Sequence, residues 1–589
     1  MKRLALSLSF AEQGDTSAGG AGRGRPARRA GPPAVTRALR AEDGWGCPAT
    51  GPALRDGILR SWVALAISAL VLCAGCTESS GQQRSAAARS EATIVDDQTG
   101  KPLAARVHAT DGCGRFVEVA GSHSHVEYLG KRWCYVDGSF SLPLPDGGVV
   151  LELWRGFETR PLKEHVTPVP GQLARRAFRL RRWANMREQG YVNGDIHAHT
   201  PLPAEAHLQM RAEDLNEVTL LAGELGNLNP HFTGRLDPSS TPGTEVMVGQ
   251  EVRDWQMGHL TLLGLSKMVP GYPEVGGVLE EWVRPHWLMA HAMEAARAQG
   301  GLVVWAHFCN LPGAESPVAI AAGLVDGVEL LTYDDPTHLP SHWGPWKNSG
   351  MSQGEFTTMR SLDLYYQYLN SGFRLPIAAG TDKMDVDIPL GSNRTYISVQ
   401  GPPGYASWLA GVKAGRGFIT NGPILRFEVD GHQPGEQVDL QTPRTVKARV
   451  SARSILPFAT LEIISNGEVV GHKTVFVKDN PPVDGVYSME VECSVELGRS
   501  SWFAARVADD PDNKNRILPR GLSVFAHTNP VYFLFGGTRV REEASIRYLE
   551  KYVRGTIHWL KTNAPFAVPA DRDEAIKRAE KALAIYQAR

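Results

Sequence analysis

The chain has 589 residues, too many for one hydrophobic core, and that length points to roughly three or four domains. Its 62 basic and 63 acidic residues leave a net charge of -1, which argues against a nucleic-acid binder. A hydrophobic share of 42% is ordinary for a globular protein, and 61 glycines with 39 prolines fall below the proportion typical of disordered chains.

Residues 1–55 carry almost no apolar periodicity; Ser17–Thr50 is dominated by Gly, Ala, Arg and Pro. Residues 56–76 are more orderly: Arg60, the apolar run Trp62–Ala74, then Gly75 and Cys76. A basic flank, a short apolar core and small residues before a cysteine read as a lipoprotein-type signal peptide. The run is too short for a membrane span of roughly 20 residues. This predicts export to the bacterial cell envelope, in the periplasm, with a lipid anchor at Cys76. It also makes residues 1–55 a mis-called or disordered extension. Cys73 stands where a lipobox usually has Leu, so a plain signal peptide or an uncleaved anchor stays open. Residues 77–92, rich in Ser, Gln, Arg and Ala, read as a tether.

From 93 to 182, short alternating apolar segments are broken by Thr-Gly and Asp-Gly turns, as at Asp137-Gly138 before Ser-Phe-Ser-Leu. The pattern predicts a small β-sandwich and resembles the carboxypeptidase regulatory-like domains of secreted enzymes. In an exported protein Cys113 and Cys134 are expected to form a disulfide, with unpaired core thiols as the alternative. His123 and His125 sit in a Gly/Ser-rich stretch and are read as solvated loop residues.

From 191 to 424 strands alternate with helices. Pro285–Gln299 has helical character and ends at Gly300-Gly301, before the buried-strand run Leu302–Ala306. Leu324–Leu331 and Leu375–Ala379 read as further strands, with Leu362–Asn370 as a helix between them. The strand runs end in polar residues: His307, Glu329 with Tyr333 and Asp334 beyond it, and Thr381-Asp382. Polar groups at strand C-termini are expected of an α/β barrel. Residues 425–537 return to β character and predict a second β-sandwich. Residues 540–589 carry Ile546, Leu549, Val553, Ile557 and Leu560, then Ile576, Ala579, Leu583 and Tyr586, at helical spacing. These are two helices expected to pack on the body of the protein.

The chemistry concentrates in the middle segment. In Asp195-Ile196-His197-Ala198-His199 the two histidines share one face of an extended strand, a natural start for a divalent metal site. Gly249-Gln250-Glu251, Gly258-His259, Ala306-His307 and Gly380-Thr381-Asp382 follow in order. The order resembles the PHP (polymerase and histidinol phosphatase) superfamily, in its carbaryl-esterase-like CehA/McbA metallohydrolase branch. Gly391-Ser-Asn-Arg394 and Ala414-Gly-Arg-Gly-Phe-Ile-Thr-Asn421-Gly-Pro423 are similar to that branch too.

The resemblance implies a distorted barrel of seven strands, flanked here by the two β-sandwiches and the C-terminal helices. It implies a first metal on His197, His199, Glu251 and Asp382, and a second shared through Glu251 and completed by His259 and His307. Zn²⁺ suits such a donor set, with Mn²⁺ or Fe²⁺ as alternatives. The family's Thr-Asp-His motif is absent near Leu220–Asn227, and its closing Asp-x-His is here Asp382-Lys383-Met384. Both departures fall on the family's third metal site, which implies one or two ions; Glu224 and His207 are weak candidates for substitution. Asp195 is expected to orient a histidine. Lys383 and Arg394 are candidates for oxyanion or substrate contacts, with pairing to Asp385 and loop anchoring as the alternatives.

The resulting expectation is a metal-dependent hydrolase that directs metal-activated water at an ester, phosphodiester or related centre in a small-molecule or polymer substrate. A phosphomonoesterase is the alternative within that class. A non-catalytic surface-binding protein with a structural metal is the alternative outside it.

Overall fold

The computed structural model describes residues 88–589 except 169–173, 224–225, 255, 271–285, 309–312, 333–335, 338–360 and 509–517. The extension, the signal-type segment with Cys76, most of the tether, Glu224, Tyr333 and Asp334 lie outside the described residues. The fold is mixed α/β and built mostly of strands.

Seven strands form the N-terminal unit: β1 (Ala88–Asp96), β2 (Ala104–Asp111), β3 (Ala120–Tyr128), β4 (Lys131–Leu144), β5 (Val149–Trp154), β6 (Leu162–Val166) and β7 (Ala174–Leu180). They make a single sheet in the order β6-β5-β2-β4-β1-β7, with β3 on the flank of β4. The result is a near-closed barrel rather than the expected sandwich. The 14-residue β4 changes partner at Gly138, from β2 over Cys134–Asp137 to β1 over Ser139–Leu144. Gly138 has a φ of 77°, a conformation that suits glycine and bends the strand. A bridge between Thr159 and Arg182 draws the two edges together. Ile94, Val107, Val136, Leu151 and Phe178 fill the interior.

Two local expectations are corrected here. Cys113 is exposed in the turn after β2 while Cys134 is buried in β4, and no disulfide joins the two. His123 and His125 belong to β3 rather than to a loop; His123 faces solvent and His125 is half-buried.

The central body contains β8 (Tyr191–Ala198), α1 (Pro203–Ala212), β9 (Glu217–Ala222), β10 (Glu245–Asp254), β11 (Gly258–Leu263), α2 (Ala290–Ala298), β12 (Leu302–Ala306), α3 (Ser316–Ala321), β13 (Gly327–Leu331), α4 (Ser361–Asn370), β14 (Ile377–Ala379), β15 (Arg394–Ser398), α5 (Tyr405–Lys413) and β16 (Gly417–Thr420). Strands β9, β11, β12 and β13 are buried along their whole length. That burial explains why their sequences read as continuous runs instead of alternating ones. Strands β8–β9–β10 and β12–β13–β14 pair in parallel, and β11 runs antiparallel between the two sets. Six strands therefore point the same way, and the start of β11 lies at the same end as their C-termini.

The rest comprises β17 (Ile424–Val429), β18 (Gln437–Leu440), β19 (Arg444–Ser454), β20 (Thr460–Ser465), β21 (Glu468–Thr474), β22 (Tyr487–Leu497), β23 (Ser501–Ala508), β24 (Ala526–Thr528), β25 (Val531–Phe535), α6 (Glu543–Thr562) and α7 (Pro569–Gln587). The sequence boundary at 424/425 does not interrupt the sheet. β16 pairs with β24 through Phe418–Thr528, Ile419–His527 and Thr420–Ala526. One curled half-barrel of 13 strands thus runs from β14 through β8 to β21. A separate sheet of β17, β19 and β22 shares a core with its far end, around Phe427, Val450, Leu461, Met489 and Phe503.

The two C-terminal helices join the core of the central body through Leu549, Val553, Trp559, Ala579 and Tyr586. Tyr552 and Tyr586 donate hydrogen bonds to the carbonyls of Gly313 and Pro317, at 2.9 and 2.7 Å. They thereby support the segment that follows the end of β12. No helix among the described residues is long and apolar enough to cross a membrane.

Candidate metal centre

The curl of the sheet brings the end of β14 against the end of β8. The Asp382 N–H donates to the His197 carbonyl at 2.8 Å, and the His199 N–H donates to the Lys383 carbonyl at 2.9 Å. Six side chains converge below this junction: His197 and His199 from β8, Glu251 from β10, His259 from β11, His307 after β12 and Asp382 after β14. All six are buried.

Their donor atoms lie at ligand-to-ligand distances. His197 Nε2 is 3.2 Å from His199 Nε2, 3.3 Å from Asp382 Oδ1 and 3.6 Å from Glu251 Oε1. His199 Nε2 lies 3.2 Å from Glu251 Oε2 and 3.4 Å from Asp382 Oδ1. On the other side, Glu251 Oε1 is 3.4 Å from His259 Nδ1 and 3.2 Å from His307 Nε2. An ion bound at about 2.0–2.1 Å would hold tetrahedral neighbours about 3.3 Å apart, so these spacings fit divalent coordination. Asp382 Oδ1 is buried without a hydrogen-bond partner, and the two ring nitrogens nearest it face it. Three overlapping triads, His197–His199–Glu251, His197–His307–Asp382 and Glu251–His259–His307, could hold one or two metal ions.

The two histidines of β8 are oriented from behind. His197 Nδ1 lies 3.1 Å from both carboxyl oxygens of Glu329, and His199 Nδ1 lies 3.3 Å from the Leu221 carbonyl. With each Nδ1 serving as donor, the Nε2 lone pairs aim into the cluster, the usual carboxylate- or carbonyl-backed ligand arrangement. Glu329 also accepts the His307 N–H at 2.9 Å, so it positions two members of the set. Gly380 packs so closely here that a Cβ would strike Glu329 Oε1 and His197 Cβ. His307 and Asp382 both have left-handed backbones, with φ of 51° and 46°. Such residues cost about 1–3 kcal/mol each and persist where the surroundings over-determine them.

Electrostatics follow from this crowding. Burial opposes charge on His197, yet Glu329, Asp382 and Glu251 together raise its pKa to about 10. Burial pushes His259 down to about 4. Burial would raise both acids, but Arg253 and His197 hold Glu251 well below the usual carboxylate range, and His197 and His307 do the same for Asp382. Two ionised carboxylates thus face a positive charge on His197, and a bound cation would take the place of that proton on Nε2.

The remaining sequence candidates take other places. Asp195 does not orient a histidine ring. Its carboxylate accepts the N–H groups of His197, Thr381 and Gly391 at 2.9–3.0 Å and the Thr381 hydroxyl, tying the strand ends together. Burial raises its pKa to about 6. Lys383 Nζ donates to the carbonyls of Asp385 and Ile388, and Arg394 donates to those of Gly391 and Glu213 and stacks on Phe157. Both serve as loop anchors. His207 on α1 bonds to Thr241 at 3.0 Å instead.

Two residues that sequence reasoning did not place in the site belong to it. Glu329 stood out only as a polar residue in a strand run; nothing in Gly327-Val-Glu-Leu-Leu marks which side it faces. Arg253 lies two residues beyond Glu251 on β10, and period two would have put it on the same face.

No protein-family model matches this chain, and no curated protein matches it. Among solved structures, PsfC from Pseudomonas syringae PB-5123 aligns with 38% of this chain and 88% of its own length, at 13% identity and a TM-score of 0.24. A likeness that slight carries no argument about fold or function.

Proposed function

We propose that this protein is a divalent-metal-dependent hydrolase of the PHP type, acting on an ester, phosphodiester or related bond. The observation that carries the reading is the convergence of His197 Nε2, His199 Nε2, Glu251 and Asp382 at 3.2–3.6 Å, with Asp382 Oδ1 lacking any other partner. His197, His199, Glu251 and Asp382 would hold one ion, and Glu251, His259 and His307 a second; Zn²⁺ is the best match. Ions at these positions would lower the pKa of bound water and polarise an acceptor oxygen. Glu329 fixes the ring of His197 and the backbone of His307, and Asp195 and Gly380 fix the strand ends that carry His197 and Asp382. The seven strands β8–β14, curled so that the end of β14 meets the end of β8, support the PHP-type barrel reading. The proposal includes export and lipid anchoring at Cys76, which palmitate labelling of the mature protein tests.

Metal analysis of the purified protein, with a panel of p-nitrophenyl carboxyl esters, phosphomonoesters and phosphodiesters, tests the reading. One or two ions per chain with turnover support it. No bound metal and no turnover after adding Zn²⁺ or Mn²⁺ would instead favour a non-catalytic binding protein. Glu251→Ala should abolish binding of both ions, since Glu251 belongs to both proposed ligand sets; retained stoichiometry would refute its shared role.

A further inference from the structure

At the strand ends opposite the candidate metal centre, the N-terminal unit meets the starts of β8, β9 and β10 around a polar cavity of about 230 Å³. Four guanidinium groups line it: Arg155 after β5, Arg182 after β7, Arg187 in the linker to β8, and Arg211 near the end of α1. Two carboxylates share the lining, Glu158 and Asp214. Asp214 takes Arg182 on both oxygens, at 2.5 and 2.7 Å, and Arg155 Nη1 at 2.6 Å. Glu158 accepts the Met186 N–H at 2.7 Å and the Tyr396 hydroxyl at 3.0 Å. Asp137 on β4 holds Arg211 through both Nη atoms at 2.8 Å. Three carboxylates thus stand against four guanidinium groups, and Arg187 is the cation left over.

Arg187 is exposed, and among the described residues it makes one long hydrogen bond, from Nη1 to the Gly243 carbonyl at 3.4 Å. No carboxylate among the described residues lies within ion-pair distance of it. Glu217, whose field reaches it, is kept protonated at neutral pH by a pKa of about 9. Gly243 has a φ of 80°, and a Cβ there would strike both Nη atoms, so the guanidinium rests directly on this glycine. Asn193 and Asn216 lock each other, each side-chain oxygen accepting the other's backbone N–H at 3.1–3.2 Å. Their amides donate to the carbonyls of Asp214 and Gly243, and each keeps a second N–H. Asn185 uses its Oδ1 on the Glu188 N–H, which leaves its amide group as a donor. A planar cation without an acid, beside amides fixed by other bonds, is a receptor for an oxyanion. The volume exceeds one water's share of about 30 Å³ and falls below the roughly 300 Å³ at which drug-sized pockets begin. We propose that this cavity is an anion site, taking a phosphate-type oxyanion on Arg187 and the amides of Asn185, Asn193 and Asn216. The bound ion ties the linker before β8 to the starts of β9 and β10. The site does not depend on the metal-centre reading.

The experiment measures binding of inorganic phosphate by calorimetry to the full chain as purified, in wild type, Arg187→Ala, Asn185→Asp and Glu251→Ala. Glu251→Ala disables the candidate metal centre at the other end of the strands, so phosphate taken up by this variant reports the cavity alone. It should bind one phosphate per chain, and its Tm should rise with phosphate but not with KCl at matched ionic strength. Losing a charge-assisted contact in Arg187→Ala should weaken binding at this site about 10- to 100-fold. Asn185→Asp puts a negative charge on the wall and should weaken binding at least as much; it carries the test if the alanine variant does not fold. Glycerol 3-phosphate separates the sources of the oxyanion. Tighter binding than inorganic phosphate assigns the cavity to a phosphorylated small molecule, and equal or weaker binding assigns it to the free ion. No saturable uptake by Glu251→Ala, or unchanged affinity in Arg187→Ala and Asn185→Asp, would overturn the proposal and leave the cavity to water. A wild-type protein that binds no Zn²⁺ would sink the metal-centre reading without touching this one.

Discussion

Glu329 sets two candidate ligands at once, through the ring of His197 and the N–H of His307. Its own conformation is confined by Gly380, whose missing side chain leaves room for Oε1. Carboxylates that back a ligating imidazole raise its basicity and fix its tautomer, and their loss typically costs about 10- to 100-fold in metal affinity. Glu329→Gln should therefore lower Zn²⁺ affinity within that range in a chelator competition, while leaving the number of ions at saturation unchanged. A change in stoichiometry would mean that Glu329 is itself a ligand. The donors His197, His199, Glu251, His259, His307 and Asp382 were legible in the sequence because their residue types and order carry chemistry. Glu329 and Arg253 were not, since a lone acid or base in a strand acquires its role only from what the curl of the sheet places opposite.

Among the elements, β9 shows how a buried strand can carry an acid without a partner for its charge. Glu217 begins this strand, lies directly across from Glu245 on β10, and has both carboxyl oxygens buried without hydrogen bonds. Glu245 is already engaged, accepting the Tyr405 N–H at the start of α5 at 2.8 Å. Burial, with a further push from Glu245, raises the Glu217 pKa to about 9. The folded state therefore binds a proton that the unfolded chain releases near its ordinary value of 4.5. Stability from this group is fully present below about pH 4.5 and is lost progressively as pH rises toward about 9. Glu217→Gln, which resembles the protonated form, should flatten that dependence, raising Tm at pH 8 more than at pH 5. Equal Tm shifts at both pH values would show that Glu217 is not the group responsible. Strands such as β12 were legible as apolar runs after Gly300-Gly301. The N-terminal barrel was mistaken for a sandwich because alternation reports a half-buried strand, not whether its sheet closes on itself.

At the scale of the whole molecule, the C-terminal β region reaches back to the candidate metal centre. This link was invisible in the sequence, where residues 425–537 read as a separate sandwich; only the pairing of β16 with β24 reveals one continuous sheet. Arg520, in the turn Pro519–Gly521, donates to the carbonyls of Thr381 and Asp382 at 3.0 and 3.3 Å and pairs with Asp387 at 2.8 Å. Asp382 is thus gripped from both sides, its N–H by His197 and its carbonyl by Arg520. The grip matters because the left-handed backbone of Asp382 would relax by about 1–3 kcal/mol if released. Arg520→Ala should let Asp382 drift from the ring nitrogens it faces and weaken Zn²⁺ binding about tenfold, a loss of about 1.4 kcal/mol. The Asp387 ion pair contributes only about 0–1 kcal/mol at the surface, so Tm of the metal-free protein should move little. Arg520→Lys keeps the charge but not the fork across two carbonyls, and it should recover only part of the affinity. If Arg520→Ala binds Zn²⁺ as tightly as wild type, Asp382 is held by the β8–β14 junction alone, and the C-terminal region has no part in shaping the site.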